Sequence, residues 1–472
     1  MSKKRTEKSS TKRAALADGR IEGHADGHGL LIPDGGGLPI GLSATEMRQV
    51  LRGDRARVRI VGMDTRGRPA GEIVEVLARG SGRIVGRLHK ERGGLVVVPE
   101  DRRIAQDILV PPADAGNAKP GQVVTVELVA QPSKHAQPVG RVSEVLGAYA
   151  DPGMEIEIAL RKFDLPHEFS KRALAQARAM PEEVRPGDIG KGCRDLRDLP
   201  FVTIDGETAK DFDDAVHAVR EVGGKNAGFR LRVAIADVSH YVRHGDALDL
   251  DARERGTSVY FPRRVIPMLP EKISNGLCSL NPYVDRLAMV CDMAITPAGE
   301  VARYEFYPAV FRSRARLTYT SVWNDISRGK ANREIQDLYE LYKVLFRARE
   351  SRGAIDFESV ETKMEFDARG KILRIVPEPR NEAHRLIEEC MLAANVCAGN
   401  FLSSRGHPAL YRVHAVPAPE KVKALREFLA ELGLTLPGGE SPKPKDYAQL
   451  LQKIRKRPDF MLLQTILLRS LK

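Results

Sequence analysis

Short runs of alternating apolar and polar residues, broken by Gly, Pro and Asp, fill the first third of the chain. A period of two predicts half-buried strands joined by tight turns. The runs also repeat. Gly19-Arg-Ile-Glu-Gly23 followed by Gly29-Leu-Leu-Ile-Pro33-Asp34 is answered by Gly82-Arg-Ile-Val-Gly86 and Gly94-Leu-Val-Val-Val-Pro99-Glu100. Gly53-Asp-Arg-Ala-Arg-Val-Arg-Ile60 is answered by Gly121-Gln-Val-Val-Thr-Val-Glu-Leu128, and Gly71-Glu-Ile-Val-Glu-Val-Leu77 by Gly140-Arg-Val-Ser-Glu-Val-Leu146. Three landmarks in one order, offset by about 65 residues, predict two copies of one small unit. Short strands with such turns fit a Greek-key β-barrel of the OB type.

Beyond residue 150 the pattern changes. A helical stretch is predicted near Ser170–Ala179, and from Leu199 strands alternate with helices, the mark of an α/β arrangement. Phe229-Arg-Leu-Arg-Val-Ala-Ile-Ala-Asp237-Val reads as a strand returning from a turn at Gly223-Gly224. Arg312, Arg314 and Arg316 alternate along another strand, which places three positive charges on one face. Asn381–Phe401 has helical periodicity, with Leu386, Ile387, Met391, Leu392 and Val396 on its apolar side. The closing run Met461-Leu-Leu-Gln-Thr-Ile-Leu-Leu-Arg-Ser-Leu-Lys472 reads as a buried helix with nothing left in the sequence to pack against, the pattern of a truncated domain.

Composition narrows the class. The chain has 472 residues, is 42% hydrophobic and carries a formal net charge of +12. Its pI near 9.4 favours an acidic partner, nucleic acid ahead of an anionic membrane surface. No apolar run approaches the roughly 20 residues that span a bilayer, and the basic N-terminus lacks the apolar core of a signal peptide. Five cysteines without a CxxC pair argue against a disulfide framework or a zinc site and for a reducing, cytoplasmic setting. In the barrels, aromatics are scarce where bases would stack: one copy offers only His28, the other none. Contact with a nucleic-acid backbone through Arg83, Arg87, Lys90 and Arg92 is therefore the better expectation, beside a plain solvated charged face.

One stretch carries chemistry. In Phe201-Val-Thr-Ile-Asp205-Gly-Glu-Thr-Ala-Lys-Asp211-Phe-Asp213-Asp214-Ala-Val, four aspartates follow an apolar, β-branched strand. Asp is poor in both helices and strands, so this density points to a cation, and hard oxygen donors suit Mg²⁺ or Mn²⁺ better than zinc. Two such ions serve both ends of an in-line phosphodiester displacement. Asp205, Asp211, Asp213 and Asp214 are expected to converge on one pocket. Because neighbours on a strand face opposite ways, a bend or loop is required at Asp213-Asp214. Asp237 either joins them or caps a turn. A structural Ca²⁺ site or an acidic turn is the competing reading, and a two-metal phosphatase for small molecules would leave the barrels without a purpose.

The acidic stretch resembles the signature of the ribonuclease II/R family of processive 3′→5′ exoribonucleases. The resemblance continues through Val233-Ala-Ile-Ala-Asp-Val-Ser239, Arg255-Gly-Thr-Ser-Val-Tyr-Phe-Pro262, Ser274-Asn-Gly-Leu-Cys-Ser-Leu-Asn-Pro282, Ala315-Arg-Leu-Thr-Tyr-Thr320 and Leu386-Ile-Glu-Glu-Cys-Met391. It implies two tandem OB-type, cold-shock-like barrels followed by an α+β catalytic domain of the RNB type. The boundaries are then 1–18 a basic disordered tail, 19–80 and 81–150 the barrels, 151–199 a linker region and 200–472 the catalytic domain, incomplete at its C-terminus. By motif position Asp205, Asp211, Asp213 and Asp214 would hold two Mg²⁺ (or Mn²⁺), with Asp213 most critical to cleavage. Tyr260 would pack against the terminal nucleotides, Tyr319 would line the RNA channel, and Arg316 would join the RNA-binding set. Glu388 or Glu389 would touch RNA beyond the cut. The implied activity is processive hydrolysis of single-stranded RNA to nucleoside 5′-monophosphates by a monomer. The alternative is an RNA-binding fragment with little hydrolysis, because family arginines that hold the scissile phosphate are expected beyond position 472.

Overall fold

The computed structural model describes residues 15–64, 67–80, 82–91, 93–221, 227–357 and 361–471; most of the expected basic tail, Arg92 and the Gly223-Gly224 turn lie outside the described residues. The chain forms two units, residues 1–168 with 366–373, and residues 169–365 with 374–472.

The first unit holds the repeat. β1 (Leu16–Gly23), β2 (Gly29–Pro33), β3 (Ile40–Leu42), β4 (Arg55–Met63) and β5 (Pro69–Ala78) close into a barrel in the order β1-β2-β3-β5-β4, with the short helix α1 (Ala44–Met47) after β3. The strands β6 (Arg83–Glu91), β7 (Gly94–Pro99), β8 (Ile108–Val110), β9 (Gln122–Ala130) and β10 (Val139–Ala148) close in the corresponding order, and in each barrel the third and fifth strands pair in parallel. Closure removes the open strand edges that two small sheets would otherwise expose. Each interior is filled by the inward set of the alternation: Ile21, Leu31, Ala56 and Val58 in one, Leu88, Val97, Ile108 and Val126 in the other, all fully buried. The helix α2 (Met154–Lys162), inside the expected linker, sets Met154 against Val85 and Val123 of the second barrel.

The strand register corrects the first repeat landmark. Gly19 faces Pro33, and Gly86 faces Pro99, so Gly19 corresponds to Gly86 rather than to Gly82. Backbone bonds agree: Gly53 N donates to Ile21 O at 2.9 Å and Gly121 N to Leu88 O at 2.7 Å. The reason is steric. A Cβ on Gly19 would meet Ile32 O at 2.2 Å and one on Gly86 would meet Val98 O at 2.5 Å, so these two strands cross too closely for a side chain.

The second unit is built on a seven-stranded sheet. Its strands are β11 (Arg194–Asp195), β12 (Val202–Asp205), β13 (Asp214–Arg220), β14 (Phe229–Ala236), β17 (Asp285–Ile295), β18 (Val301–Arg312) and β19 (Ala315–Thr318), in the order β11-β18-β17-β14-β13-β12-β19. Only the two edge strands run parallel to their neighbours. On one face α6 (Tyr319–Ser327), α7 (Arg333–Ser351) and α8 (Glu382–Ser404) cover Val202, Ile204, Val216, Leu231, Val233 and Met293. On the other, α3 (Lys171–Ala179), α4 (Val238–Tyr241), α5 (Ala247–Arg255) and a π-helical turn at Lys272–Leu277 cover Phe201, Ala215, Ala234, Ala288 and Val290. The hairpins β15 (Val259–Phe261) with β16 (Arg264–Ile266) and β20 (Glu361–Phe366) with β21 (Ile372–Glu378) stand apart from this sheet. The longer helices start where the sequence supplies caps: Asn332 Oδ1 accepts from Ile335 N at 3.0 Å, and Asn381 Oδ1 from Ala383 N at 3.0 Å.

Three expectations are corrected here. The strand proposed for Arg312, Arg314 and Arg316 breaks at Ser313-Arg314, so β18 ends and β19 begins. The three guanidiniums then go to different partners: Asp285, the carbonyls of Arg197 and Asp198, and the carbonyls of Glu207 and Ala209. On α8, Leu386 and Ile387 are buried but Leu392 and Val396 are exposed, because Ala394 and Cys397 take the inner face instead. The closing helix does find a partner. α9 (Pro419–Glu431), α10 (Pro444–Ile454) and α11 (Phe460–Ser470) form a cluster that buries Leu463 and Leu467 with Leu429, Tyr447 and Ile454. Each such leucine contributes about 1.5–3 kcal/mol of apolar burial. Met461, Leu462 and Leu468 face solvent.

Candidate active site

β12 ends at Asp205, where Gly206-Glu-Thr-Ala-Lys follows with no alternation of apolar and polar residues to extend the ladder. The chain loops through residues 206–213 and re-enters the sheet at Asp214, the first residue of β13. This is the bend that adjacent Asp213 and Asp214 require. Asp213 closes the loop with its carbonyl, which accepts from Ala236 N at 3.0 Å, while Asp214 lies opposite Ile235 in the ladder.

The loop is held from two sides. Phe212 is buried, and its N–H donates to Ser279 Oγ at 3.0 Å. That hydroxyl in turn donates to Lys210 O at 2.9 Å, and Leu280 N donates to Phe212 O at 2.8 Å. From β19, Arg316 Nη2 donates to Glu207 O at 3.1 Å and Ala209 O at 3.0 Å, with its guanidinium 4.9 Å from the centre of the Phe212 ring.

Four carboxylates result, close enough to perturb one another. Burial pushes Asp205 up, against a bond from Gly206 N at 2.7 Å, and the charge of Asp211 adds to the rise. Surrounding protein, then the charges of Asp211 and Asp205, raise Asp213 even though that residue opens to solvent. Asp214 is pushed up to about 6, first by burial and then by Asp205 and Asp213. Among the described residues no three His, Cys, Asp or Glu side chains close up as ligands around one point. The aspartates therefore share a neighbourhood without forming a finished cage. The donor set fits a hard divalent cation: carboxylate oxygens, mutually repelling, with the one nearby guanidinium committed to backbone carbonyls.

Around this cluster sit the aromatics. Tyr260, on β15 and 64% exposed, donates its hydroxyl to Asp211 Oδ2 at 2.8 Å. Tyr319 opens α6 and stacks on His384 of α8, with ring centroids 3.9 Å apart and planes 19° from parallel. Burial, then the charges of Asp205 and Asp214, raise the Tyr319 hydroxyl far above its usual range. The two candidate glutamates part company. Glu388 is half-buried, adds its charge to the rise of the Tyr319 hydroxyl and accepts from Arg380 Nε at 3.0 Å. Glu389 is 4% exposed and paired with Arg349 Nη1 of α7 at 2.8 Å, which corrects its placement among RNA-contacting residues. Asp237 lies at the start of α4, where it accepts from the Ser239 hydroxyl at 2.6 Å.

Sequence reasoning missed His384, Ser279 and the hydroxyl bond of Tyr260. His384 had a local signal, an Asn-x-x-His start to a helix, in which His384 Nδ1 lies 2.9 Å from Asn381 Oδ1. Ser279 had none, standing 67 residues from Phe212. In the barrels, Arg83 pairs with Glu127 at 3.0 Å and Arg87 lies over the Tyr149 ring, while Lys90 is exposed.

The architecture agrees with known families. The RNB domain matches residues 193–472, a cold shock domain matches residues 97–170, and a ribonuclease B OB domain matches residues 19–76. The chain is 48% identical over 468 residues to ribonuclease R of Escherichia coli strain K12, covering 98% of this chain and 57% of that protein. Against ribonuclease R of Vibrio cholerae the identity is 47% over 468 residues, covering 97% of this chain and 56% of that protein. The chain thus spans little more than half the length of these relatives. Among solved structures, Mycoplasma genitalium RNase R in complex with ribose-methylated single-stranded RNA superposes with a TM-score of 0.89 at 25% identity, over 96% of this chain and 72% of that one. Among the described residues no helix is long and apolar enough to cross a membrane. With an RNB match across more than half its length and this similarity over nearly all of it, the chain belongs to the ribonuclease II/R family.

Proposed function

We propose that this chain is a 3′→5′ exoribonuclease that hydrolyses single-stranded RNA processively to nucleoside 5′-monophosphates at the loop between β12 and β13. The observation that carries the reading is four aspartates gathered at a loop fixed from both sides, three of which, Asp205, Asp213 and Asp214, are raised by burial and by neighbouring carboxylates. Asp205, Asp211, Asp213 and Asp214 would hold two Mg²⁺ or Mn²⁺ ions. Bound there, the ions would supply an activated water and neutralise charge on the leaving oxygen. Asp213, the member most open to solvent, is the one assigned to the reacting phosphate. Tyr260 holds Asp211 through its hydroxyl while its exposed ring is free to lie against a terminal base. Tyr319, stacked on His384 beside the cluster, is assigned to the wall of the RNA path. Glu388, kept in place by Arg380, is the glutamate assigned to RNA. The related RNase R of known structure binds single-stranded RNA, which supports the substrate class.

The test is digestion of a 5′-labelled, unstructured RNA with Mg²⁺ by the chain and by Asp213→Asn. A ladder shortening from the 3′ end, lost in the variant by at least about a thousandfold in rate, is the expected result. RNA binding with no ladder from the unaltered chain would instead make it an RNA-binding protein without hydrolysis.

A further inference from the structure

We infer that Arg316 and Ser279 are positioning residues that hold the acidic loop ready for its cations, and that Arg316 does this instead of gripping RNA. The inference rests on the metal reading above. The loop of residues 206–213 has no regular structure, and ordering such a segment costs conformational entropy at every residue. It also carries the carboxylates of Asp211 and Asp213, between Asp205 and Asp214 at the two strand ends. Left alone, the segment would sample many backbone conformations, and cation binding would have to recover the lost order.

Two contacts oppose that. Ser279 is fully buried, and its single hydroxyl bridges the carbonyl of Lys210 and the N–H of Phe212, fixing the backbone on both sides of Asp211. Arg316 holds the other half. One guanidinium nitrogen serves the carbonyls of Glu207 and Ala209, and the guanidinium plane lies near the Phe212 ring. Its strand places it there by register, since β19 runs parallel to β12 with Arg316 opposite Thr203 and Thr318 opposite Asp205. Pairing a planar fork with two carbonyls and an aromatic ring is a task for Arg that Lys performs poorly. Its hydrogen-bond acceptors, Glu207 and Ala209, and the Phe212 ring beside it all belong to the loop it spans. Preorganisation of this kind acts on the affinity of the groups it holds.

The experiment measures Mn²⁺ binding to the full chain by electron paramagnetic resonance without RNA, and RNA binding without metal, for the unaltered chain, Arg316→Met, Arg316→Lys and Ser279→Ala. Arg316→Met should raise the Mn²⁺ dissociation constant about tenfold or more while leaving the RNA dissociation constant within about twofold. Arg316→Lys should recover part of the loss, and Ser279→Ala should move Mn²⁺ binding in the same direction. If Ser279→Ala fails to fold, the exposed Arg316 carries the test alone. Unchanged Mn²⁺ binding in Arg316→Met, or equal loss of Mn²⁺ and RNA binding, overturns the inference. Failure of the unaltered chain to bind Mn²⁺ overturns the metal reading as well, and is seen before any variant is compared.

Discussion

Two carboxylate sites share the seven-stranded sheet, and they are built in opposite ways. Asp292 on β17 is 5% exposed and fully paired. Arg230 donates to it at 2.8 and 2.9 Å, Arg232 at 3.0 Å and the Tyr307 hydroxyl at 2.8 Å. Burial alone would raise Asp292, but the bonds from Arg230 and Tyr307 and the charge of Arg232 outweigh it and hold it below the usual range. Asp214, on the opposite face by strand alternation, is pushed up to about 6 by burial and by the charges of Asp205 and Asp213. One carboxylate has positive partners supplied by the chain; the other has carboxylates for neighbours. A buried charge with its partners supplied by the chain belongs to the architecture. A cluster left short of positive charge is the kind of arrangement that the proposed two-metal site requires.

The contrast can be broken most severely at the complete site. Asp292→Ala strands two arginines against the sheet and should cost about 3–5 kcal/mol of stability, read by urea denaturation. A loss below 1 kcal/mol would mean the network is ornamental. The same network extends to His217, 3% exposed, whose Nδ1 accepts from Arg232 Nη1 at 3.1 Å. Burial, then the Arg232 charge, push His217 down to about 4. Its folded value lies below the ordinary one near 6.5, so its contribution is complete above that pH and is lost as pH falls toward 4. The full loss is about 3 kcal/mol. Comparing the chain with His217→Gln across this window isolates the effect, because contributions from Asp214 cancel in the difference. Smallest of all should be Glu305→Gln. Glu305 meets Arg194 at 2.7 and 2.8 Å, but at the solvent edge of the network, and its loss should cost no more than about 1 kcal/mol.

The sequence made the incomplete site far easier to see than the complete one. Four aspartates within ten positions announce themselves, whereas Asp292, Arg232 and His217 come from three strands and meet only through the registers His217 to Arg232 to Asp292. The barrels were legible as a repeat because glycines recur where strands cross closely. The exact partner of Gly19 was not, since Gly82-Arg-Ile offers a false match a few residues early. Arginine alternation at 312, 314 and 316 suggested one charged face, but a single break at Ser313-Arg314 sends each side chain elsewhere. Glu388 and Glu389 are adjacent in sequence and only helix rotation separates them, one toward Tyr319 and the other onto Arg349. Periodicity reads faces; it does not read which loop a distant serine will hold.

The central claim is that the acidic cluster is destabilising until a divalent cation binds. The direct measurement is thermal unfolding of the chain and of Asp214→Asn at neutral pH, each with and without saturating Mn²⁺. Without metal the variant should melt higher than the unaltered chain, because it lacks a carboxylate held charged against its surroundings. With metal at about a hundred times its dissociation constant the unaltered chain should gain about 2.7 kcal/mol, and the variant markedly less. A chain whose melting ignores Mn²⁺, beside a variant no more stable than its parent, would contradict the account.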